Sequence, residues 1–310
     1  MQSLNKIFVV GVGRSGTSLL QSMLNAHSDV AFMPETHFFR NYITSRKTKN
    51  KLEKEGLNRV LGHLKEDPNF SSIQSVLREI EETATDTEIN LEELQQSIWQ
   101  LYLDQKQKTI IGEKDPRNID YIPEIHKYFP DSKLIHLIRD PRDVVLSRTK
   151  AAWSSHRPYW MHALIYKAQI TRGIKQARTY FPENYYEMFY EKLVNQPEAE
   201  LRELCDFLEM DYDTNMLDFK RSASELIKES EVSWKKETLG PLLKKNTEKW
   251  KRELTGKKLF VIETICRKEL NQWNYRFSDQ HQRKSWKKFP QTVFLNLVSV
   301  IFRLVYRFLT

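Results

Sequence analysis

An α/β fold, with a parallel sheet flanked by helices, is what this sequence predicts, and three observations carry that expectation. Ile7 to Val10 form an apolar run rich in β-branched residues that stops at Gly11-Val12-Gly13; small hydroxylated residues follow before Leu19 and Leu20 resume with helical spacing. Later apolar runs, Val30 to Phe32, Thr109 to Gly112 and Lys133 to Ile138, give way to polar residues at Glu35, Lys114 and Arg139. Helical patterns separate the runs, as crossovers between parallel strands require.

The segment from Ile7 to Leu20 reads as a strand, a tight loop and a helix start. Glycine lets the loop backbone approach an anion closely, and the unpaired amides of the first helical turn point at it beside Arg14, Ser15, Gly16, Thr17 and Ser18. The loop is suited to a phosphate, so the sheet is expected to be P-loop-like. A nucleotide-triphosphatase loop reads G-x-x-x-x-G-K-[ST], with its lysine on the β/γ-phosphates. Gly11 and Gly16 have that separation, but Thr17 stands in the lysine position and the positive charge sits earlier, at Arg14. Such a loop can grip a phosphate monoester and is poorly equipped for metal-assisted γ-phosphoryl transfer.

The 310 residues suit one large α/β domain with a helical insertion, or two modest domains, and the 40% hydrophobic content permits a proper core. A net charge of +8 fits an anionic ligand, an acidic acceptor or a membrane surface. The basic residues are spread among 41 acidic ones with no basic stripe of interleaved aromatics, so nucleic acid is not expected as a partner. Cys205 and Cys266, each inside a helical pattern, read as buried small residues of a reducing compartment and offer no metal-ligand spacing. A first strand beginning by Lys6 leaves no room for a signal peptide, and a cytoplasmic location is expected.

Along the chain, the first helix runs from about Thr17 to Ala26, and the second strand ends in Met33-Pro34-Glu35. Ligands collect at the carboxyl ends of strands in such sheets, which places Glu35 beside the loop. From about 41 to 108 apolar residues recur at helical spacing, as in Leu57, Val60, Leu61 and Leu64, then Ile73, Val76, Leu77 and Ile80. Leu91, Leu94, Ile98 and Leu101 follow, with Asn90 as N-cap and Glu93 at the reciprocal position. This stretch reads as a helical insertion of about three helices. Arg139-Asp140-Pro141-Arg142-Asp143 fits the start of a helix that carries Ser147. The aromatics between Ala152 and Tyr180 read as core, Tyr185 to Tyr190 as another strand, and Lys257 to Leu270 as the last globular helix.

With these pieces in place, the chain resembles the sulfotransferase superfamily over roughly residues 5 to 277, nearest in motif spacing to the tyrosylprotein and related bacterial sulfotransferases. Arg14-Ser15-Gly16-Thr17-Ser18 is similar to the 5′-phosphosulfate loop, and Arg139 with Ser147 eight residues later is similar to the pair that holds the 3′-phosphate. The resemblance implies 3′-phosphoadenosine-5′-phosphosulfate as co-substrate, no metal, and a hydroxyl-bearing acceptor. It implies Lys114, twenty-five residues before Arg139, as a catalytic lysine, and Glu35, twenty-one residues after Arg14, as general base. Tyr190-Glu191 resembles the strand near the adenine, Lys249-Trp250 the segment that closes over the nucleotide, and Ser233 a contact of the leaving phosphate. The tyrosylprotein enzymes have an anchor, disulfides and arginines just past the base; here Thr36-His37-Phe38-Phe39-Arg40 supplies one arginine. A carbohydrate, lipid or small-molecule hydroxyl is therefore expected in place of protein tyrosine. His37 is open between a second acid/base, an acceptor contact and a loop histidine with no such duty.

These readings divide the chain into a catalytic domain over 1–280 and a basic, apolar helix over 281–310. In the latter, Arg283, Lys284, Lys287 and Lys288 surround Trp286, and an apolar helical pattern runs from Pro290 to Leu309 with Asn296, Ser299, Arg303 and Arg307 as one narrow polar stripe. The uncharged run from Phe289 to Phe302 is shorter than the roughly 20 residues that span a bilayer. A helix lying at a membrane interface, with the protein peripheral there, fits that pattern, and docking on its own domain or a second subunit is the alternative. As alternatives to a sulfotransferase, the loop leaves open a P-loop kinase of a nucleotide or small molecule, or a nucleotide-binding protein without turnover.

Overall fold

In the computed structural model the expected α/β architecture is built on five strands: β1 (Asn5–Val10), β2 (Val30–Phe32), β3 (Ile110–Lys114), β4 (Lys133–Ile138) and β5 (Tyr185–Phe189). The structure describes residues 5–83, 90–227, 239–240, 246–278 and 289–306. Every neighbouring pair is parallel, and the order across the sheet is β2-β3-β1-β4-β5. Central β1 is buried on both faces: Phe8 and Val10 join one core, Ile7 and Val9 the other. That is why its sequence is a continuous apolar run instead of an alternating one.

Helix α1 (Thr17–Asn25) follows β1, and among the described residues four α-helices lie between β2 and β3: α2 (Arg46–Glu55), α3 (Leu57–Glu66), α4 (Gln74–Thr83) and α5 (Leu91–Lys106). Beyond β3 come α6 (Ile122–Tyr128), then α7 (Pro141–Lys150) and α8 (Tyr159–Tyr180) after β4. After β5 come α9 (Tyr190–Asn195), α10 (Pro197–Leu208) and α11 (Lys220–Leu226). Leucines of α1 and α10 pack on one face of the sheet; residues of α3, α4, α5, α7 and α8 pack on the other. Cys205 and Cys266 are free and buried.

Local chemistry accounts for the boundaries. The Asn90 side chain accepts from the amides of Glu92 and Glu93 at 2.9 and 3.4 Å and so starts α5, and the Asp140 side chain accepts from the Arg142 amide at 2.9 Å to start α7. Differences from the sequence expectation have identifiable causes. Helix α2 adds a fourth helix to the insertion; it buries only Leu52, too few apolar residues to show a period. Before β4 a 3-10 turn, Pro116–Asp120, precedes α6, and the single helix expected over 257–270 is two, Gly256–Ile265 and Arg267–Gln272, broken at Cys266.

The terminal helix, Phe289–Tyr306, docks on α8 and on the Gly256–Ile265 helix. The described residues of its polar stripe do not form a solvent-facing edge. Asn296 is exposed, Arg303 half-buried and Ser299 1% exposed against the protein, while Arg307 lies outside the described residues. Among the described residues no helix is long and apolar enough to cross a membrane.

Candidate active site

The parallel sheet gathers its strand ends at one edge, and the register sets the spacing there. Val9 pairs with Lys114 and Val10 with His136, so the loop after β1 emerges between the ends of β3 and β4. Two glycines make the loop possible. A Cβ on Gly11 would come within 2.7 Å of the Leu137 carbonyl oxygen. Gly16, at φ 96°, sits so close to the Tyr190 ring that a Cβ would meet it at 2.4 Å. Arg14 also adopts a left-handed conformation, φ 82°, a strain that non-glycine residues show chiefly at functional turns.

The loop and the start of α7 meet directly. Arg14 Nε donates to Ser147 Oγ at 3.0 Å, and Arg139 donates to the Arg14 carbonyl at 3.2 Å and to the Asn246 carbonyl at 2.6 Å. The Arg139 guanidinium lies 4.2 Å from the centroid of the Tyr190 ring. Thus Arg14, Arg139, Ser147 and Tyr190 form one cluster assembled from β1, β4, α7 and α9. Two polar atoms in it are buried without a hydrogen-bond partner among the described residues, Ser15 Oγ and Arg139 Nε. Unsatisfied buried donors of this kind mark a place for an acceptor-rich ligand. Thr17 is buried, at 3% exposure, and Ser18 half-buried.

On the other side of the loop, Lys114 is almost wholly buried, at 1% exposure. Its ammonium donates to Ser18 Oγ at 3.3 Å and forms an ion pair with Glu35. One cation therefore stands between the loop and a carboxylate carried by the neighbouring strand β2. Behind Glu35, Asp115 Oδ2 contacts His37 Nδ1 at 2.8 Å and accepts from Arg40 Nε at 2.9 Å. Burial alone would raise the Asp115 carboxyl, but the His37 hydrogen bond and the charges of His37 and Arg40 hold it well below the usual carboxylate range. His37 is itself at φ 56°, so its place is set by this contact and not by local preference.

Lys249 sits at the N-cap of the short helix Trp250–Glu253, half-buried. That segment is held to α7: the Trp250 amide donates to Asp143 Oδ1 at 2.9 Å, and the Trp250 ring lies 3.6 Å from the guanidinium of Arg142. Ser233 lies outside the described residues.

Two arginines that sequence reading passed over support the cluster. Arg142, 1% exposed, is bound by Asp140, by Glu263 Oε1 at 2.8 Å and by the Arg276 carbonyl at 2.7 Å. The Asp-Pro-Arg-Asp string gave only a helix start, because Glu263 is distant in sequence; a charged residue on the inward face of α7 was the one available signal. Removing Arg142 leaves two carboxylates buried without their cation, so Arg142→Ala is expected to lose about 3–5 kcal/mol of stability. A chemical-denaturation midpoint unchanged from the parent would refute this.

Arg148, next to Ser147, is buried, donates to the Gly13 carbonyl at 3.4 Å and to His162 Nδ1 at 3.1 Å, and so braces the loop from behind. Burial pushes it down to about 10, against the Tyr306 hydroxyl that raises it, with Arg157, Arg117 and Arg14 adding repulsion. Arg14, Arg139 and Arg148 thus converge on this loop.

A parallel α/β protein with a glycine-containing loop after its first strand, and with an arginine and a serine from a second strand-helix junction against it, is the class that this fold and site define. The sequence matches the model of the Sulfotransferase family over residues 6–214, and the chain belongs to that family. It is 26% identical over 230 residues to protein-tyrosine sulfotransferase A of Caenorhabditis elegans, a match covering 73% of this chain and 55% of that protein. It is 28% identical over 222 residues to the protein-tyrosine sulfotransferase of Drosophila melanogaster, covering 68% of this chain and 39% of that protein. The match therefore spans about half or less of the length of these relatives. Among solved structures, the sulfotransferase domain of the Synechococcus PCC 7002 olefin synthase aligns with a TM-score of 0.58 at 20% identity, covering 86% of this chain and 96% of that one. The sulfotransferase domain from the curacin biosynthetic pathway aligns at 0.58 and 19%, covering 92% and 97%. At such identities these two likenesses speak to the fold.

Proposed function

We propose that this protein is a sulfotransferase that moves a sulfuryl group from 3′-phosphoadenosine-5′-phosphosulfate to an acceptor hydroxyl. The observation that carries the reading is the meeting of Arg14 with Ser147 and of Arg139 with the Arg14 carbonyl, at 3.0 and 3.2 Å. Two elements far apart in sequence, the loop after β1 and the start of α7, are thereby brought into direct contact, which supports their sharing one ligand. Arg14, Ser15, Gly16, Thr17 and Ser18 would hold the 5′ side, Arg139 and Ser147 the 3′-phosphate. Tyr190 would lie against the nucleotide, with Lys249 closing over it and Ser233 touching the leaving phosphate. The orphaned Ser15 Oγ and Arg139 Nε fit such a guest, since each needs an acceptor.

When bound, the nucleotide supplies an activated sulfuryl group. Glu35 takes the proton of the attacking hydroxyl, a role that requires hydrogen-bond reach of that group. Lys114, already facing both Glu35 and Ser18, turns its charge to the phosphate oxygen that departs, with Arg14 and the loop amides beside it. None of these residues calls for a metal.

The acceptor in this reading is a carbohydrate, lipid or small-molecule hydroxyl. The names of the relatives raise protein tyrosine, but the one arginine just past Glu35, Arg40, already gives its Nε to Asp115, which weakens the case for an acidic peptide. Titration calorimetry with 3′-phosphoadenosine-5′-phosphate and with ATP tests the reading. Binding of the first at least about tenfold tighter is expected, since each charge-assisted contact to the 3′-phosphate contributes about 1.5–3 kcal/mol. Tight ATP binding with no preference for the 3′-phosphate would favour a kinase and overturn it.

A further inference from the structure

The terminal helix Phe289–Tyr306 is apolar on two sides, and among the described residues only one of them is packed. Leu295, Val298 and Phe302 pack on the main core, and Tyr306 is buried with Ile165 and Ala168 of α8. On the opposite side Val293, Phe294, Leu297, Ile301 and Leu304 are 52–64% exposed. A helix that merely docks on its own domain turns polar residues outward, and a contiguous exposed apolar strip marks a contact surface.

Charge identifies the contact. From His281 to Thr310 the sequence contains Arg283, Lys284, Lys287, Lys288, Arg303 and Arg307, and no Asp or Glu. An apolar strip accompanied by cations alone complements an anionic lipid surface; lysine is depleted where protein meets protein.

The carboxyl end of the helix is tied to residues that neighbour the candidate site. The Tyr306 hydroxyl donates to Asp120 Oδ2 at 3.4 Å, and the same carboxylate faces Arg117 at 3.6 Å. Arg117 follows Asp115, the residue that holds His37 and Arg40 behind Glu35. Tyr306 also interacts electrostatically with Arg148, which braces the phosphate loop.

We propose that the outer face of this helix seats the protein on an anionic bilayer, and that the acceptor is a hydroxyl on a lipid headgroup presented to the site from the bilayer on that side. The acceptor half rests on the sulfotransferase reading. The sulfur–oxygen bond to the 5′-phosphate breaks as a new one to the headgroup oxygen forms, the hydroxyl proton passes to Glu35, and 3′-phosphoadenosine-5′-phosphate leaves.

The test uses the full chain with sedimented vesicles of phosphatidylglycerol and phosphatidylcholine, and of phosphatidylcholine alone. Binding to the anionic vesicles is expected, and the Leu297→Asp/Ile301→Asp pair should weaken it by roughly tenfold or more, since each substitution removes an apolar side chain from the contact. The variant should bind 3′-phosphoadenosine-5′-phosphate as the parent does in calorimetry. With a sulfur-labelled donor and a total lipid extract, label should enter the organic phase. Failure of the parent chain to sediment with anionic vesicles overturns the docking, as does equal sedimentation of the variant. So does a strip whose substitution abolishes self-association instead of lipid binding, which assigns it to a second copy. Label confined to water-soluble acceptors overturns the acceptor assignment alone. Absence of nucleotide binding by the parent chain removes the sulfotransferase reading while leaving the vesicle result intact.

Discussion

Glu35→Gln is expected to slow turnover by about a hundredfold to ten-thousandfold, the range that general base catalysis contributes, while 3′-phosphoadenosine-5′-phosphate binds within about threefold of the parent value. Glutamine keeps the size of the side chain and an oxygen that can accept from Lys114, so the contact between strand β2 and strand β3 survives in weaker form. It cannot take a proton from the acceptor. The comparison therefore separates an enzyme from a binding protein that shares its nucleotide site. Calorimetry and a sulfuryl-transfer assay on the same preparation provide it. Turnover equal to the parent would remove Glu35 from the chemistry and direct attention to His37, whose ring is held by Asp115 on the same side of the site.

Lys114→Met is expected to lower the turnover rate by about a hundredfold to a thousandfold, comparable to deleting one donor that stabilises developing negative charge. The buried position gives this variant a second effect, because Glu35 then loses its cation. Thermal unfolding measured beside the assay distinguishes the two: a folded variant with normal nucleotide binding and depressed turnover is the expected outcome. Lys114→Arg should not restore activity. A guanidinium is a planar fork too large for a site with 1% exposure and a hydroxyl already 3.3 Å away. Wild-type rates in either variant would sink the assignment.

The site was legible in part. Strand-loop-helix chemistry from Ile7 to Leu20 is local, and the polar residues that follow β2, β3 and β4 mark strand ends by composition, so the sequence locates Glu35, Lys114 and Arg139 on one edge. It does not locate their partners. The carboxylate of Glu35 and the ammonium of Lys114 are separated by 79 positions, and Arg14 and Ser147 by 133. Arg148 gave no signal beyond its place beside Ser147, and Arg142 looked like an ordinary residue of a helix start. Both matter because of what surrounds them after folding: a loop carbonyl and a histidine for one, two carboxylates and an indole for the other.

The terminal helix divides in the same way. Its apolar period and basic character were readable, whereas which side would dock was not, since apolar residues occupy nearly its whole circumference and the docked face is defined only by its contact with α8. By itself, the sequence determined the elements and the chemical character of their ends, because turns, caps and apolar periods depend on neighbours a few residues away. The tertiary structure alone decided the strand order β2-β3-β1-β4-β5, the pairing of Glu35 with Lys114 and the bracing of the loop by Arg148. Those are contacts between distant segments, and their energy exists only once packing has excluded water from them.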